Sequence, residues 1–248
     1  MGLLDNLENL SKQELLLLSR MAEQSERYDE MMDLVRHFIS KCSTEFTEDE
    51  RNIISVAFKN VVGNRRTAWR VLHSIESKEG KRGNEENKAR AVAYREKVEG
   101  ELRSFCREIL RIIDNDLLTK ITSDEGKVFF IKMKGDYYRY ICEFAQGQYK
   151  DESSKSAQEN YQQALNIAEQ SLDSTHPSRI GLALNYSVFN YEILGQHASA
   201  IAIAQKAFDD GIANLENLTN EQAYKESTMI LQLIRDNISL WTTEAEDN

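Results

Sequence analysis

RNIISVAFKNVVGNRRTAWRVLHSI, residues 51–75, carries five basic residues (Arg51, Lys59, Arg65, Arg66 and Arg70) and no acid, inside a chain whose formal net charge is -10. Its apolar residues Ile54, Ala57, Val61, Ala68, Leu72 and Ile75 keep one helical phase on both sides of Gly63, so the stretch reads as a single amphipathic helix. The glycine argues the other way, since in a helix interior it costs about 1 kcal/mol relative to alanine. It falls on the basic side, where a missing side chain lets a ligand backbone come close. Lys59, Arg66 and Arg70 stand at i, i+7 and i+11, and at about 100° per residue they lie within roughly 40° of one another. Cations that close repel. They need an anion over them, either a carboxylate of the protein, with Glu26 or Glu76 as candidates, or a ligand.

Outward from this helix the chain keeps the same character. Its 248 residues are 41% apolar, enough for a packed core, and contain only one proline and 11 glycines. Helix breakers are scarce, runs of alternating β-branched residues are absent, and the fold class expected is all-α. Polar and glycine clusters mark the expected loops at 77–87, 119–126, 147–156, 173–178, 195–197 and 217–220. Pro177 fits the first turn of a helix capped by Ser174 or Thr175. Tyr191-x-x-Leu194-Gly195 followed by Ala204-x-x-x-Phe208 is similar to one tetratricopeptide unit, with a partial echo at Tyr161, Ala164 and Ala168, which suggests stacked antiparallel helix pairs. Residues 1–241 are expected to form one all-helical domain and the acidic stretch 242–248 a short frayed tail.

Several function classes are disfavoured. Cys42, Cys106 and Cys142 are far apart, form no Cys-x-x-Cys pair and read as reduced thiols of a cytoplasmic protein. The start has acids at Asp5, Glu8 and Glu14 and only a four-residue apolar run, unlike a signal peptide or membrane span, and Asn6 stands where myristoylation of Gly2 wants Ser or Thr. A net charge of -10 argues against nucleic acid. None of the phosphate-loop, dinucleotide, nucleophile-elbow or zinc-protease motifs occurs, and His37, His73, His176 and His197 share no metal-ligand spacing. No catalytic residue, metal or cofactor is expected.

Two further constellations bear on binding. In KMKGDYYRY, residues 132–140, Lys132 and Arg139 are again i and i+7. Tyr140 is one residue on, about 100° around the helix, so it is expected to flank an anion with Arg139 rather than stack on it. A core tyrosine satisfied by a neighbouring charge is the alternative reading. Elsewhere single amides interrupt apolar faces: Ile230, Leu233, Asn237 and Trp241 at 0, +3, +7 and +11, and Asn185 between Leu184 and Val188. A buried amide needs partners, and its donor and acceptor match an extended peptide's backbone unit as well as they match a neighbouring helix.

RYDEM from Arg27, the helix from Arg51, KMKGDYYRY from Lys132, HPSRIGLALNYSVFNYEIL from His176 and QLIRDNISLW from Gln232 together resemble the 14-3-3 proteins, in family order along almost the whole chain. The resemblance implies about nine antiparallel helices, a homodimer, and in each subunit a concave groove for phosphoserine or phosphothreonine peptides. Carried over position by position, it assigns Lys59, Arg66, Arg139 and Tyr140 to the phosphate and Asn185 and Asn237 to the peptide backbone. It places Arg70 and Lys132 beside them and Leu184, Val188, Glu192, Ile230, Leu233 and Trp241 on the groove wall. Met21, Ser25, Arg27, Glu30, Tyr94 and Lys97 match its dimer interface, with Arg27, Lys97 and Glu30 as cross-subunit ion pairs. Ala68 stands where many members carry a phosphorylatable serine, so that control of the dimer is expected to be absent.

The function implied is a dimeric, non-enzymatic adaptor for phosphorylated client proteins, cytoplasmic with the nucleus as a second compartment, and with heterodimers of related chains left open. A tetratricopeptide-like adaptor for an unmodified acidic terminus is the rival, and an enzyme with a carboxylate pair in its core is a third class.

Overall fold

The computed structural model describes residues 7–246. Among them are nine α-helices and no strand: α1 Lys12–Gln24, α2 Tyr28–Lys41, α3 Glu48–Lys81, α4 Glu85–Ile112, α5 Asp124–Phe144, α6 Gly147–Ser171, α7 Pro177–Glu192, α8 His197–Asn214 and α9 Glu221–Glu246. The helices divide into two compact units, one ending at Ile121 and the other starting at Thr122. Residues 1–6, where the myristoylation reading of Gly2 and Asn6 falls, and Asp247 and Asn248 of the expected tail, lie outside the described residues.

In the first unit α1 pairs with α2 and α3 with α4. Two of these helices start from a capping box, Ser11 with Glu14 on α1 and Thr47 with Glu50 on α3, each satisfying two otherwise unpaired amides. The 34-residue α3 runs unbroken through Gly63, as its apolar phase predicts. Ile54, Ala57, Val61, Phe58 and Val62 are fully buried, with Met31, Val35 and Phe38 of α2 and Cys106 and Ile109 of α4 also at zero exposure. Arg65 ties three helices together: it pairs with Asp29 of α2 at 2.9 Å and Glu101 of α4 at 3.1 Å, while its guanidinium lies over the Phe105 ring.

In the second unit α5 packs on α6, and α6 to α9 follow as neighbouring antiparallel helices, with α7 also touching α5 and α9. This is the stacked-pair arrangement suggested by the tetratricopeptide-like spacing. Closest approach occurs where glycine removes a side chain: a Cβ on Gly135 would sit 2.8 Å from the Tyr161 ring of α6, and one on Gly211 2.8 Å from a Leu231 methyl of α9. Ile180, Ala200, Ala204, Leu231, Ile234 and Trp241 form the core of α7 to α9.

Some expected boundaries move. The loop read at 77–87 shrinks to Arg82–Asn84, because α3 continues to Lys81 and a left-handed Gly83 turns the chain directly into α4. The loop read at 147–156 is helix from Gly147 onward; its charged residues Lys150, Asp151, Glu152 and Lys155 are exposed on the outer face of a helix whose inner face is Ser153, Ala157, Tyr161, Ala164 and Ala168. The cap of α7 is His176, whose Nδ1 accepts from the Ser178 amide, rather than Ser174 or Thr175. Ser174 instead donates to the Asp210 carbonyl, and the Thr175 carbonyl accepts from Ser227. Finally, α9 extends past Trp241 to Glu246, where fraying from Thr242 was expected, and the Tyr191 hydroxyl donates to Glu244 at 2.5 Å.

Gly63 of α3 and Gly135 of α5 make opposite predictions in urea unfolding. At Gly63 an added Cβ meets nothing within 4 Å, so Gly63→Ala should raise stability by about 0.5–1 kcal/mol. Gly135→Ala drives a methyl into a fully buried ring and should lower it by about 1–3 kcal/mol despite the better helix former. Equal stability of the two variants would contradict the packing described.

Candidate functional site

On α3 the structure separates the five cations by what neutralises them. Arg51 is buried and donates to the Phe46 carbonyl at 3.2 Å. Arg65 is spent on Asp29 and Glu101. Lys59 and Arg70 are exposed and Arg66 is half-buried. Glu76, one acid that could have neutralised this stripe, is instead held by Arg95 of α4 at 2.6 Å. Among the described residues Lys59 makes no ion pair, so its ammonium remains open to a ligand.

On α5 the structure brings together Lys132 and Arg139 and adds two residues that sequence reading did not select, Asp136 and Tyr161. Asp136 Oδ2 takes Lys132 Nζ at 2.9 Å. Its Oδ1 takes the Tyr161 hydroxyl at 2.6 Å and Asn185 Nδ2 of α7 at 2.8 Å, and lies 3.7 Å from an Arg139 nitrogen. Arg139 Nε in turn donates to the Tyr161 oxygen at 3.2 Å. Burial pushes the Asp136 carboxyl upward, but Lys132, Arg139 and the Tyr161 hydroxyl outweigh it, and the group stays below the usual aspartate range. Burial likewise works against the Arg139 cation, and Tyr161, Tyr140 and Asp136 overcome it, so the guanidinium stays charged. The Tyr161 phenol is raised, first by burial and then by Asp136. The cluster is ionised, with two cations around one anion.

Tyr140 departs from the expected geometry. Although consecutive helical residues diverge, the long Arg139 side chain folds back so that its guanidinium carbon lies 4.8 Å from the Tyr140 ring centroid. The contact is cation–π, which leaves the arginine's charge intact.

The wall predicted on α7 and α9 is assembled in part. Leu184, Val188 and Ile230 are half-buried against the cluster that contains Trp241. Trp241 itself is buried and stacked on Tyr191 at 4.6 Å, so it supports the wall rather than facing out. Leu233 is 48% exposed and Glu192 is exposed. Asn185 is anchored by Asp136, whereas the half-buried Asn237 side chain makes no hydrogen bond among the described residues. Met229 and Leu240, also missed, are exposed on the face of Leu233, since 0, +4 and +11 fall within roughly 40° on a helix. Their spacing was readable; the pairing of Asp136 with a tyrosine 25 residues away was not.

The residues matched to a dimer interface lie in the first unit. Met21 and Tyr94 are large apolar side chains more than half exposed, joined in that respect by Leu17 and Val71, with Ile75 also well exposed. Ser25 bonds back to the Met21 carbonyl and Lys97 is exposed. Arg27 and Glu30, expected to pair across subunits, pair with each other within one chain, with Nε to Oε2 at 2.8 Å. One helical turn separates them, and that is the shorter path. Among the described residues no group of three or more His, Cys, Asp or Glu could hold a metal ion, and no helix is long and apolar enough to cross a membrane.

The family model described as "14-3-3 protein" matches residues 18–242. Among similar proteins, the 14-3-3 protein I of Plasmodium falciparum is 51% identical over 232 residues, covering 92% of this chain and 88% of its own. The 14-3-3-like protein GF14 epsilon of Arabidopsis thaliana is 49% identical over 230 residues (93% and 90%), and the 14-3-3 protein beta/alpha-1 of Oncorhynchus mykiss 47% over 235 (95% of each). With matches of this extent over nine helices that run in the expected order, the chain belongs to the 14-3-3 family.

Proposed function

We propose that this protein is a dimeric adaptor that binds phosphoserine and phosphothreonine segments of client proteins and regulates those clients by sequestering, bridging or clamping them. Family membership supports the regulatory adaptor role. The observation that carries the finer reading is electrostatic. A chain of net charge -10 keeps Lys59 of α3 exposed and without an ion pair among the described residues and, on α5, holds an ionised cluster in which Lys132 and Arg139 outnumber their one acid. In this reading Lys59, Arg66, Arg139 and the Tyr140 hydroxyl share one phosphate, with Arg70 and Lys132 beside them. A phosphoserine brings about -1.5 to -2 charges and three acceptor oxygens. Charge-assisted hydrogen bonds contribute roughly 1.5–3 kcal/mol each, so the phosphate decides whether a client binds. Asn185 and Asn237 hold the main chain, and Leu184, Val188, Ile230 and Leu233 supply an apolar side wall.

Dimerisation belongs to the same reading. Met21, Tyr94 and Ile75 leave apolar surface uncovered in a single chain, as a symmetric interface requires. The Arg27–Glu30 pair then acts as a polar rim next to Ser25, with Lys97 as the additional cation. Two linked grooves raise the effective concentration of a second phosphorylated site on the same client. The compartment proposed is the cytoplasm.

Two measurements test these statements. In calorimetry a phosphoserine peptide should bind wild type, its unmodified twin should bind at least about 100-fold more weakly, and Lys59→Glu should lose a comparable factor while keeping its melting temperature. Equal affinities for the two peptides would refute phosphate recognition. In light scattering, wild type should have twice the chain mass, and Met21→Asp combined with Tyr94→Asp should be monomeric; a wild-type monomer would remove the dimer.

A further inference from the structure

Three helices of the second unit leave a pocket between them that the phosphopeptide reading does not use. Ile180 and Ala183 of α7 line it together with Leu165 of α6 on one side and Ile203 and Ala207 of α8 on the other. Two of the five are alanines, whose short side chains keep the space open. Its volume is about 80 Å³, roughly half of the 150 Å³ at which an apolar cavity takes up benzene. A branched aliphatic group of three or four carbons fits such a space, and an aromatic ring does not. Walls this apolar also give a water molecule nothing to bond to.

The charged residues around the pocket are arranged unevenly. Lys206 of α8 and Glu169 of α6 spend their charges on each other at 2.6 Å. Arg179 of α7 and Asp210 of α8 are both half-buried and both line the pocket, yet among the described residues neither forms an ion pair. Each is held in place all the same. Arg179 Nη1 donates to the Leu172 carbonyl at 2.8 Å, which leaves Nε and Nη2, the adjacent donors whose spacing matches the two oxygens of a carboxylate. The main chain of Asp210 is pinned through its carbonyl, which accepts from Ser174 at 3.0 Å and from Asn214 at 2.9 Å, while its carboxylate accepts from no described residue. A cation and an anion thus stand preplaced beside an apolar space and are not used on each other.

We propose that this pocket binds a free aliphatic α-amino acid of the leucine or valine class, with its side chain among Leu165, Ile180 and Ile203, its carboxylate on Arg179 and its ammonium on Asp210. A fatty acid would leave Asp210 unpaired, and an alkylamine would leave Arg179 so. A continuous peptide fits less well. The Glu169–Lys206 bridge joins α6 to α8 beside α7, and a chain running along the pocket has to break it, whereas a molecule that ends at its own ammonium and carboxylate does not. None of these residues belongs to the phosphate cluster, the main-chain amides or the dimer surface, so the site stands independently of the phosphopeptide reading.

The test is methyl nuclear magnetic resonance of the full chain, with the Ile180 and Ile203 methyl groups as reporters. L-leucine should shift both saturably with a Kd below about 1 mM. 4-Methylpentanoate, which lacks the ammonium, and 3-methylbutylamine, which lacks the carboxylate, should each bind at least about tenfold more weakly, the size of one charge-assisted contact. L-phenylalanine should be excluded by its ring. Asp210→Asn should cost leucine about tenfold and leave 4-methylpentanoate unchanged, since that probe offers Asp210 no cation. Phosphopeptide affinity should stay at the wild-type value in this variant, which reports that the fold survives. The proposal is wrong if leucine gives no saturable shift below about 10 mM, if phenylalanine binds as well as leucine, or if Asp210→Asn weakens leucine and 4-methylpentanoate alike. N-acetyl-leucinamide binding as tightly as leucine would also overturn it, because the pocket would then read a peptide segment and not a free amino acid. Should Asp210→Asn fail to fold, the wild-type series of leucine and its analogues decides alone.

Discussion

The buried carboxylate of Asp136 is the constraint on which the second unit's arrangement depends. An isolated anion at 6% exposure is too costly to bury, so the fold has to bring cations and hydroxyls to it. It does so from three helices: Lys132 and Arg139 on its own α5, Tyr161 on α6 and Asn185 on α7. The glycine at 135 follows from the same requirement. Tyr161 reaches Asp136 only if its ring lies across α5, and the ring edge passes where a Cβ at 135 would stand. One charge therefore explains a glycine inside a helix, the packing of α6 on α5, and the orientation of an amide two helices away.

Compensation in this cluster stops short of neutrality, and that matters for function. Two cations around one carboxylate leave a net positive centre whose side chains are already ordered. An incoming anion need not organise them. Water-exposed lysines lose rotamer entropy on binding, whereas Arg139, buried and bonded to Tyr161, has lost it on folding. On α3 the mechanism differs. There the nearby acids are committed elsewhere, Asp29 and Glu101 to Arg65 and Glu76 and Glu99 to Arg95, so Lys59 remains exposed and without an ion pair among the described residues. A strongly acidic chain thereby keeps local positive potential.

Much of this was legible in the sequence because helical periodicity is a local property. The continuity of α3 across Gly63, the shared face of Lys59, Arg66 and Arg70, and the mixed faces of α7 and α9 all follow from residues within a few turns of one another. What stayed hidden was set by tertiary partners. Asp136 looked like one acid among 41, and only the approach of Tyr161 and Asn185 singles it out. The start of α6 looked like a loop because its serines are polar, yet Ser153 is buried, and inward-facing Ala157 and Tyr161 draw the whole segment into a helix. The cap of α7 was missed for a similar reason: Ser174 is a good capping residue, but its hydroxyl is spent on the Asp210 carbonyl of α8, Thr175 is tied to α9 through its carbonyl, and the free amide is accepted by His176.

The apolar residues left uncovered fall into two kinds, and the difference argues for two kinds of partner. In the first unit the apolar line of α3 is fully buried at Ile54, Ala57 and Val61, half-buried at Ala68 and Leu72, and exposed at Ile75. A face that emerges gradually from the core continues that core, and it suits a partner as rigid as itself, such as a second copy. On α9, Met229, Leu233 and Leu240 are exposed in a stripe that also holds Asp236, which Gln232 bonds at 2.6 Å. Unbranched and γ-branched side chains interleaved with polar ones can repack around different shapes, as a surface that meets many sequences requires. Rigidity at one face and adaptability at the other are compatible in one chain because the ordering of the cationic cluster depends on neither: it is fixed inside the second unit by Asp136.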